Sequence, residues 1–334
     1  MVKILIFALV GVVAQLIDGA LGMAFGVTST TLLILSGVTP AHASASVHIA
    51  EIGTTFFSGL SHWRLKNVHW PTVLSLGVPG AIGAFCGAYL LSNLSTESAE
   101  PVVSTLLVLL GAYVLVRFVS LPWKGGIETK PMSPTKRART GLGVLGLMGG
   151  MLDATGGGGW GPVTTSTLMS VGKSEPRRII GTVNTAEFLV TAAAVAGFIF
   201  GMGDELTQNW RPVLGLLIGG AIAAPIAAWV VTVVKPRTLG MVVGTLLIVL
   251  NGIRLVNYFG VAGVVVLVAV GLAVLFALVR LRTSSLLEGS LNDDADSEAG
   301  AAGDSMGKAA GQGQGSRAAT STSTEERSAT SSEV

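Results

Sequence analysis

The chain has 334 residues, half of them hydrophobic and only 12% charged, with a mean hydropathy of +0.68. That balance excludes an ordinary soluble domain, and a lone cysteine, Cys86, excludes an internal disulfide and any multi-cysteine metal site. The net charge of +2 conceals a split: residues 1–282 carry 18 Lys and Arg against 10 Asp and Glu, whereas residues 283–334 carry 3 against 9.

The first predicted element, 4–36, is too long for one simple crossing and is broken by glycines near its centre. Its start, Met-Val-Lys before an apolar run, looks like a signal peptide. The pattern recurs internally at 141–171, however, so the segment is expected to stay in the mature protein. A more polar candidate span follows at 44–62, then apolar runs at 71–93 and 101–120. Each is near the length of about 20 residues that crosses a bilayer as a helix. A basic loop at 121–140 carries Lys124, Lys130, Lys136, Arg137 and Arg139. The second glycine-broken segment, 141–171, precedes apolar runs at 178–201, 211–234, 238–258 and 262–281. After Arg282 the chain turns to Ser, Gly, Ala, Thr and acids, which lack the apolar surface to offset the entropy of ordering, so the tail reads as disordered.

The two broken segments say nearly the same thing. One reads Gln15-Leu-Ile-Asp18-Gly-Ala-Leu-Gly22-Met-Ala-Phe-Gly26-Val-Thr28-Ser29-Thr, the other Gly150-Met-Leu-Asp153-Ala-Thr-Gly-Gly157-Gly-Gly-Trp-Gly161-Pro-Val-Thr164-Thr165. Pro40 and Pro176 then lead helices that carry His48-Ile-Ala-Glu51 and Asn184-Thr-Ala-Glu187. Trp70-Pro-Thr-Val-Leu-Ser-Leu matches Trp210-Arg-Pro-Val-Leu-Gly-Leu, which extends the duplication.

Charge between the spans orients the copies. Lys and Arg favour the cytoplasmic side. If 141–171 crossed once, Lys173, Arg177, Arg178, Lys235, Arg237, Arg280 and Arg282 would all lie outside. If it enters and returns on one side, all fall inside, with Asp204 and Glu205 outside. Each half then has a re-entrant hairpin and three crossings, an odd number, so the halves are inverted. The expected fold is an all-α polytopic membrane protein. Its parts are a first repeat (1–120), the basic cytoplasmic loop (121–140), an inverted second repeat (141–260), an extra helix (261–282) and a cytoplasmic acidic tail (283–334). Trp63, Trp70, Trp123 and Trp210 sit near span ends, as interfacial aromatics do.

Glycine-interrupted segments at matching places in two halves of a membrane protein point to a transporter's binding site. Unpaired amides and the helix dipole at each break favour an anion. The expected substrate residues are Gly22, Gly26, Thr28 and Ser29, with Gly157, Gly161, Thr164 and Thr165. The bland alternative is that these glycines serve close helix packing. Asp18 and Asp153, at matching positions, read equally as caps of the second half-helices and as titrating groups. Glu51 and Glu187 are costly inside a span and by default suggest function. His48 and Asn184 lie three residues before them, on the same helix face. These six residues are the expected coupling set, the alternative being a buried hydrogen-bonded pair that locks two helices.

Other motifs fail. Gly172-Lys173-Ser174 lacks the first glycine of a phosphate-binding loop, where Thr167 stands. His48-Ile-Ala-Glu51 lacks zinc-protease spacing, so no metal is expected. No catalytic constellation is visible, and no cofactor or nucleic-acid partner is expected.

The two glycine-rich hairpins, each followed by a Pro-led helix and an aromatic-led apolar span, resemble the TauE/SafE family of sulfite exporter-like permeases over roughly residues 1–260. The resemblance implies movement of sulfite, sulfonates or other small organic anions across a bacterial inner membrane. The expected function is an ion- or proton-coupled transporter of a small anion (sulfite, organosulfonate or small carboxylate). Its alternatives are an uncoupled channel or facilitator and a membrane accessory protein acting through its tail. The bilayer and the small anionic solute are its expected partners, and homo-oligomerisation stays open.

Overall fold

The computed structural model describes residues 2–21, 23–120, 136–171, 174, 176–208, 210–233 and 236–279. Gly22, Trp123, Lys173, Lys235, most of the basic loop, and the tail with Arg280 and Arg282 lie outside the described residues. The described residues contain helices and no strand. In chain order they are α1 (Val2–Leu21), α2 (Phe25–Leu35), α3 (Pro40–Arg64), α4 (Trp70–Ser92) and α5 (Thr96–Ser120). Next come α6 (Lys136–Gly156), a wide turn over Gly161–Thr165 running into α7 (Ser166–Val171), α8 (Pro176–Met202) and α9 (Asp204–Gln208). α10 (Trp210–Val233), α11 (Pro236–Phe259) and α12 (Val261–Val279) complete the set.

Four helices and the wide turn have proline in their first two positions: Pro40, Pro71, Pro162, Pro176 and Pro236. The missing N–H is not needed there, and the ring already holds a helical φ. Among the described residues, five helices are long and apolar enough to cross a membrane: α4, α5, α8, α11 and α12. α3 is also long enough, at 25 residues. It buries small and polar groups, among them Ala43, Ser44, Ser46, His48 and Glu51. The sequence boundaries of the spans agree with these helices to within a few residues, apart from the earlier starts of α3 and α5. Trp63, Trp70 and Trp210 are all about half exposed, as expected of interfacial rings.

Each broken segment has a long and a short arm. α1 and α6 have 20 and 21 residues, about 30 Å at the rise of a helix, while α2 has 11 residues, about 16 Å. The long arms pack across the two sequence halves. α1 lies along α10, and α6 along α4. Glycine makes both contacts close. A methyl group at Gly11 would stand 2.7 Å from the Leu216 carbonyl oxygen and 3.2 Å from Gly220 N. At Gly146 it would collide with the Leu76 carbonyl oxygen and stand 3.3 Å from Gly80 N. Since Gly11 aligns with Gly146 and Leu216 with Leu76, the two contacts are reciprocal. α3 also packs on α8, and α5 on α11, so that like-placed helices pair.

Candidate functional site: the cavity between two glycine breaks

The two breaks meet. The Thr30 hydroxyl donates to the Gly157 carbonyl at 2.7 Å. Gly26 lies backbone to backbone against Gly158, and a methyl at Gly161 would stand 3.0 Å from Met23 Cβ. Gly26 aligns with Gly161 and Met23 with Gly158, so these contacts are reciprocal too. Gly157 and Gly158 have φ values of +69° and +141°, which side-chain-bearing residues rarely adopt. Their amides both donate to the Asp153 carbonyl, at 2.6 and 3.0 Å, which closes the end of α6.

Asp18 and Asp153 act as caps across the breaks. Asp18 Oδ1 accepts from the Ala24 and Phe25 amides at 2.8 and 3.0 Å. Asp153 Oδ1 accepts from the Trp160 amide at 2.8 Å. Both carboxylates therefore reach the residue seven positions on, and each meets a donor that helix geometry leaves unpaired. These amides are the ones expected to receive a solute anion, and the chain's own carboxylates occupy them.

His48 pairs differently from its sequence neighbourhood. It shares a helix face with Glu51, but its Nε2 lies 3.2 Å from Asp153 Oδ2, in the other half of the chain. Its Nδ1 lies 2.8 Å from the Ser44 carbonyl oxygen, and the Ser44 hydroxyl donates to the Ala154 carbonyl at 2.6 Å. Asn184 likewise reaches across, donating to Ser58 Oγ at 3.1 Å. Trp160 is fully buried, and its indole N–H donates to the Val183 carbonyl at 3.2 Å.

Around the crossing lies a cavity of about 570 Å³, within the range of small-solute pockets. It brings together Asp18, Glu51, Asp153, Asn184 and Glu187, together with Gly26 and Gly161 from the two breaks. Among the described residues that line it, none is Lys or Arg. His48 lies behind Asp153 rather than in the lining. Thr28, Ser29, Thr164 and Thr165 are buried away from it, and so is Gly157. The lining hydroxyls are Thr54, Thr55 and Ser58 instead. They follow Glu51 by three, four and seven residues, the spacing of one helix face, and that period was the signal available for finding them. Gln15 and Gly158 line the cavity as well.

Residues 7–255 match the family described as Sulfite exporter TauE/SafE. The chain is 49% identical over 257 residues to the probable membrane transporter protein YtnM of Bacillus subtilis (strain 168), covering 77% of this chain and 84% of YtnM. It is 28% identical over 229 residues to the probable membrane transporter protein YdhB of the same organism, covering 68% and 89%. A third relative there, the probable membrane transporter protein YjnA, is 24% identical over 255 residues, covering 74% and 98%. No solved structure matches. The family match spans most of the chain, including both glycine breaks and every carboxylate of the cavity, and the chain belongs to the TauE/SafE family of multi-pass membrane proteins.

Proposed function

We propose that this chain is a secondary transporter that carries a small anion, of the sulfite, organosulfonate or small carboxylate class, across the cytoplasmic membrane together with protons. The names of its relatives support transport. The observation that carries the reading is the cavity where the two glycine breaks cross, with four carboxylates and no Lys or Arg in its described lining. Like charges this close in a poorly solvated space need counter-charge. An anion can join them only if positive charge comes with it, and protons on the carboxylates supply that charge, so anion and proton binding become one event. Uncoupled passage of the anion would leave Glu51 and Glu187, which cap nothing, without a role.

The reciprocal packing of α1 on α10 and α6 on α4 supports an inverted repeat with re-entrant glycine hairpins, and the Lys and Arg between the spans support a cytoplasmic tail. In such a repeat two near-equivalent packings give alternating access. Labelled sulfite, small sulfonates and small carboxylates are offered to proteoliposomes with and without an imposed pH gradient. Accumulation of one of them that follows the gradient is the expected result; gradient-independent flux would defeat proton coupling. A second reading has its own support. Because Asp18 already occupies the Ala24 and Phe25 amides, a solute with a cationic group would find the carboxylates directly, and an aminosulfonate in the same panel tests that.

A further inference from the structure

His48 is fully buried in α3, and both of its ring nitrogens have partners. The partner of Nδ1 is the Ser44 carbonyl, which only accepts, so Nδ1 carries a hydrogen. The Ser44 hydroxyl, 3.4 Å from Nδ1, has given its own hydrogen to the Ala154 carbonyl and offers only lone pairs. A neutral imidazole with its hydrogen on Nδ1 has a bare lone pair on Nε2. Yet Nε2 stands 3.2 Å from Asp153 Oδ2, while Oδ1 of the same carboxyl accepts from the Trp160 amide. Two acceptors do not hold one another. One more proton belongs between Nε2 and Oδ2, as imidazolium facing carboxylate or as imidazole facing carboxylic acid.

Building on the proton-coupled reading, we propose that His48 and Asp153 together form the proton-binding site of this protein, a single proton bridging α3 of one half to α6 of the other. When the proton leaves toward the cavity, a lone pair faces a carboxylate and the contact turns repulsive. The residue released is Asp153, which also holds the Trp160 amide at the far end of the second glycine break. Loss of the proton therefore loosens that break from α3. Phe198 of α8 contributes an apolar ring 6.0 Å from the His48 ring. Asp18 from α1, Glu51 from α3 and Glu187 from α8 share the cavity with Asp153. All three are acidic, and no Lys or Arg stands among the described residues that line the cavity with them.

The test is nitrogen-15 histidine NMR on the full chain in lipid nanodiscs across a pH series, with the His48 signals assigned by their loss in His48→Gln. The expected result is Nδ1 protonated throughout and a proton step at Nε2. Asp153→Asn is expected to abolish that step, because its amide N–H donates to Nε2 without an added proton while its oxygen still accepts from Trp160. A neutral His48 with its hydrogen on Nε2, or an unchanged step in folded Asp153→Asn, would overturn the bridge. A normal step in wild-type protein whose flux ignores a pH gradient would overturn the coupled-transport reading instead, and with it the bridge's part in transport.

Discussion

Gly26 and Gly158 touch backbone to backbone where the two broken segments cross, with Glu51 Oε1 only 3.0 Å from where a side chain on Gly26 would begin. A methyl group at Gly26 would also stand 2.8 Å from the Gly157 carbonyl oxygen. The closest atoms belong to the Gly157–Gly158 backbone, which cannot swing aside as the Glu51 side chain can. Gly26→Ala and Gly158→Ala are therefore expected to destabilise the protein by about 1–3 kcal/mol each, and Gly158→Ala by more because its φ also suits glycine alone. Gly141 in α6 has open space around it, and Gly141→Ala is expected to be neutral or to stabilise by up to about 1 kcal/mol. Thermal melts of the three variants in one detergent check this, and equal melts would contradict the crossing.

Asp18 separates capping from charge. Asparagine caps a helix about as well as aspartate, whereas alanine costs about 1 kcal/mol. Asp18→Ala is expected to melt earlier than wild type, and Asp18→Asn to melt close to it. Flux of Asp18→Asn under a pH gradient then reads the charge alone.

Glu51 and Glu187 face the cavity from α3 and α8, like-placed helices of the two halves that pack on one another. Neutralising either with glutamine is expected to lower gradient-driven accumulation at least tenfold, a change of about 1.4 kcal/mol in the coupled step. Full accumulation by both glutamine variants would remove the carboxylates from the coupling machinery.

Much of the fold is legible in the amino-acid pattern. The apolar runs read as 71–93, 178–201, 211–234 and 238–258 became α4, α8, α10 and α11 because lipid leaves a helix no alternative for its backbone groups. The duplicated Asp-and-glycine pattern located both breaks. The partner of His48 was not legible. Helical spacing offered Glu51 on the same face, but side chains three apart are only neighbours, and Asp153 comes from a helix 105 residues on. The placement of the hydroxyl runs after the breaks was not legible for a related reason. α2 is buried nearly all round, so Thr28 and Ser29 face neighbouring helices and not the cavity. Trp160 gave no warning of its role either, since its burial depends on α8 and α4, which sequence spacing does not place beside it.

Trp160 joins the second break to α8 through its indole N–H and fills the space beside Gly80, where a methyl would stand 2.7 Å from the ring. Trp160→Ala is expected to cost about 3–5 kcal/mol through the cavity it leaves. Trp160→Phe, which keeps most of the volume and loses the hydrogen bond, is expected to cost about 1 kcal/mol. Chemical denaturation in mixed micelles ranks the two. Similar losses would make the hydrogen bond the dominant contribution.

Truncation after Arg282 removes the acidic tail alone. Flux in proteoliposomes is expected to be unchanged, since every cavity residue precedes it. Loss of flux in a truncated protein of normal melting temperature would move the function toward the tail.

The exchange of long arms between halves has a consequence during synthesis. α1 finds its close-packed neighbour only when Leu216 has been made, about 200 residues after Gly11. At a ribosome speed of about 5–20 residues per second, the first helix waits roughly 10–40 s with its glycine face uncovered. α6 has no such wait, because α4 is already in place when it emerges. The nascent chain thus completes its second half around the first and only then closes the first around the second. Two separately translated halves, 1–120 and 121–334, should each be protease-sensitive alone and become resistant when made together in one membrane.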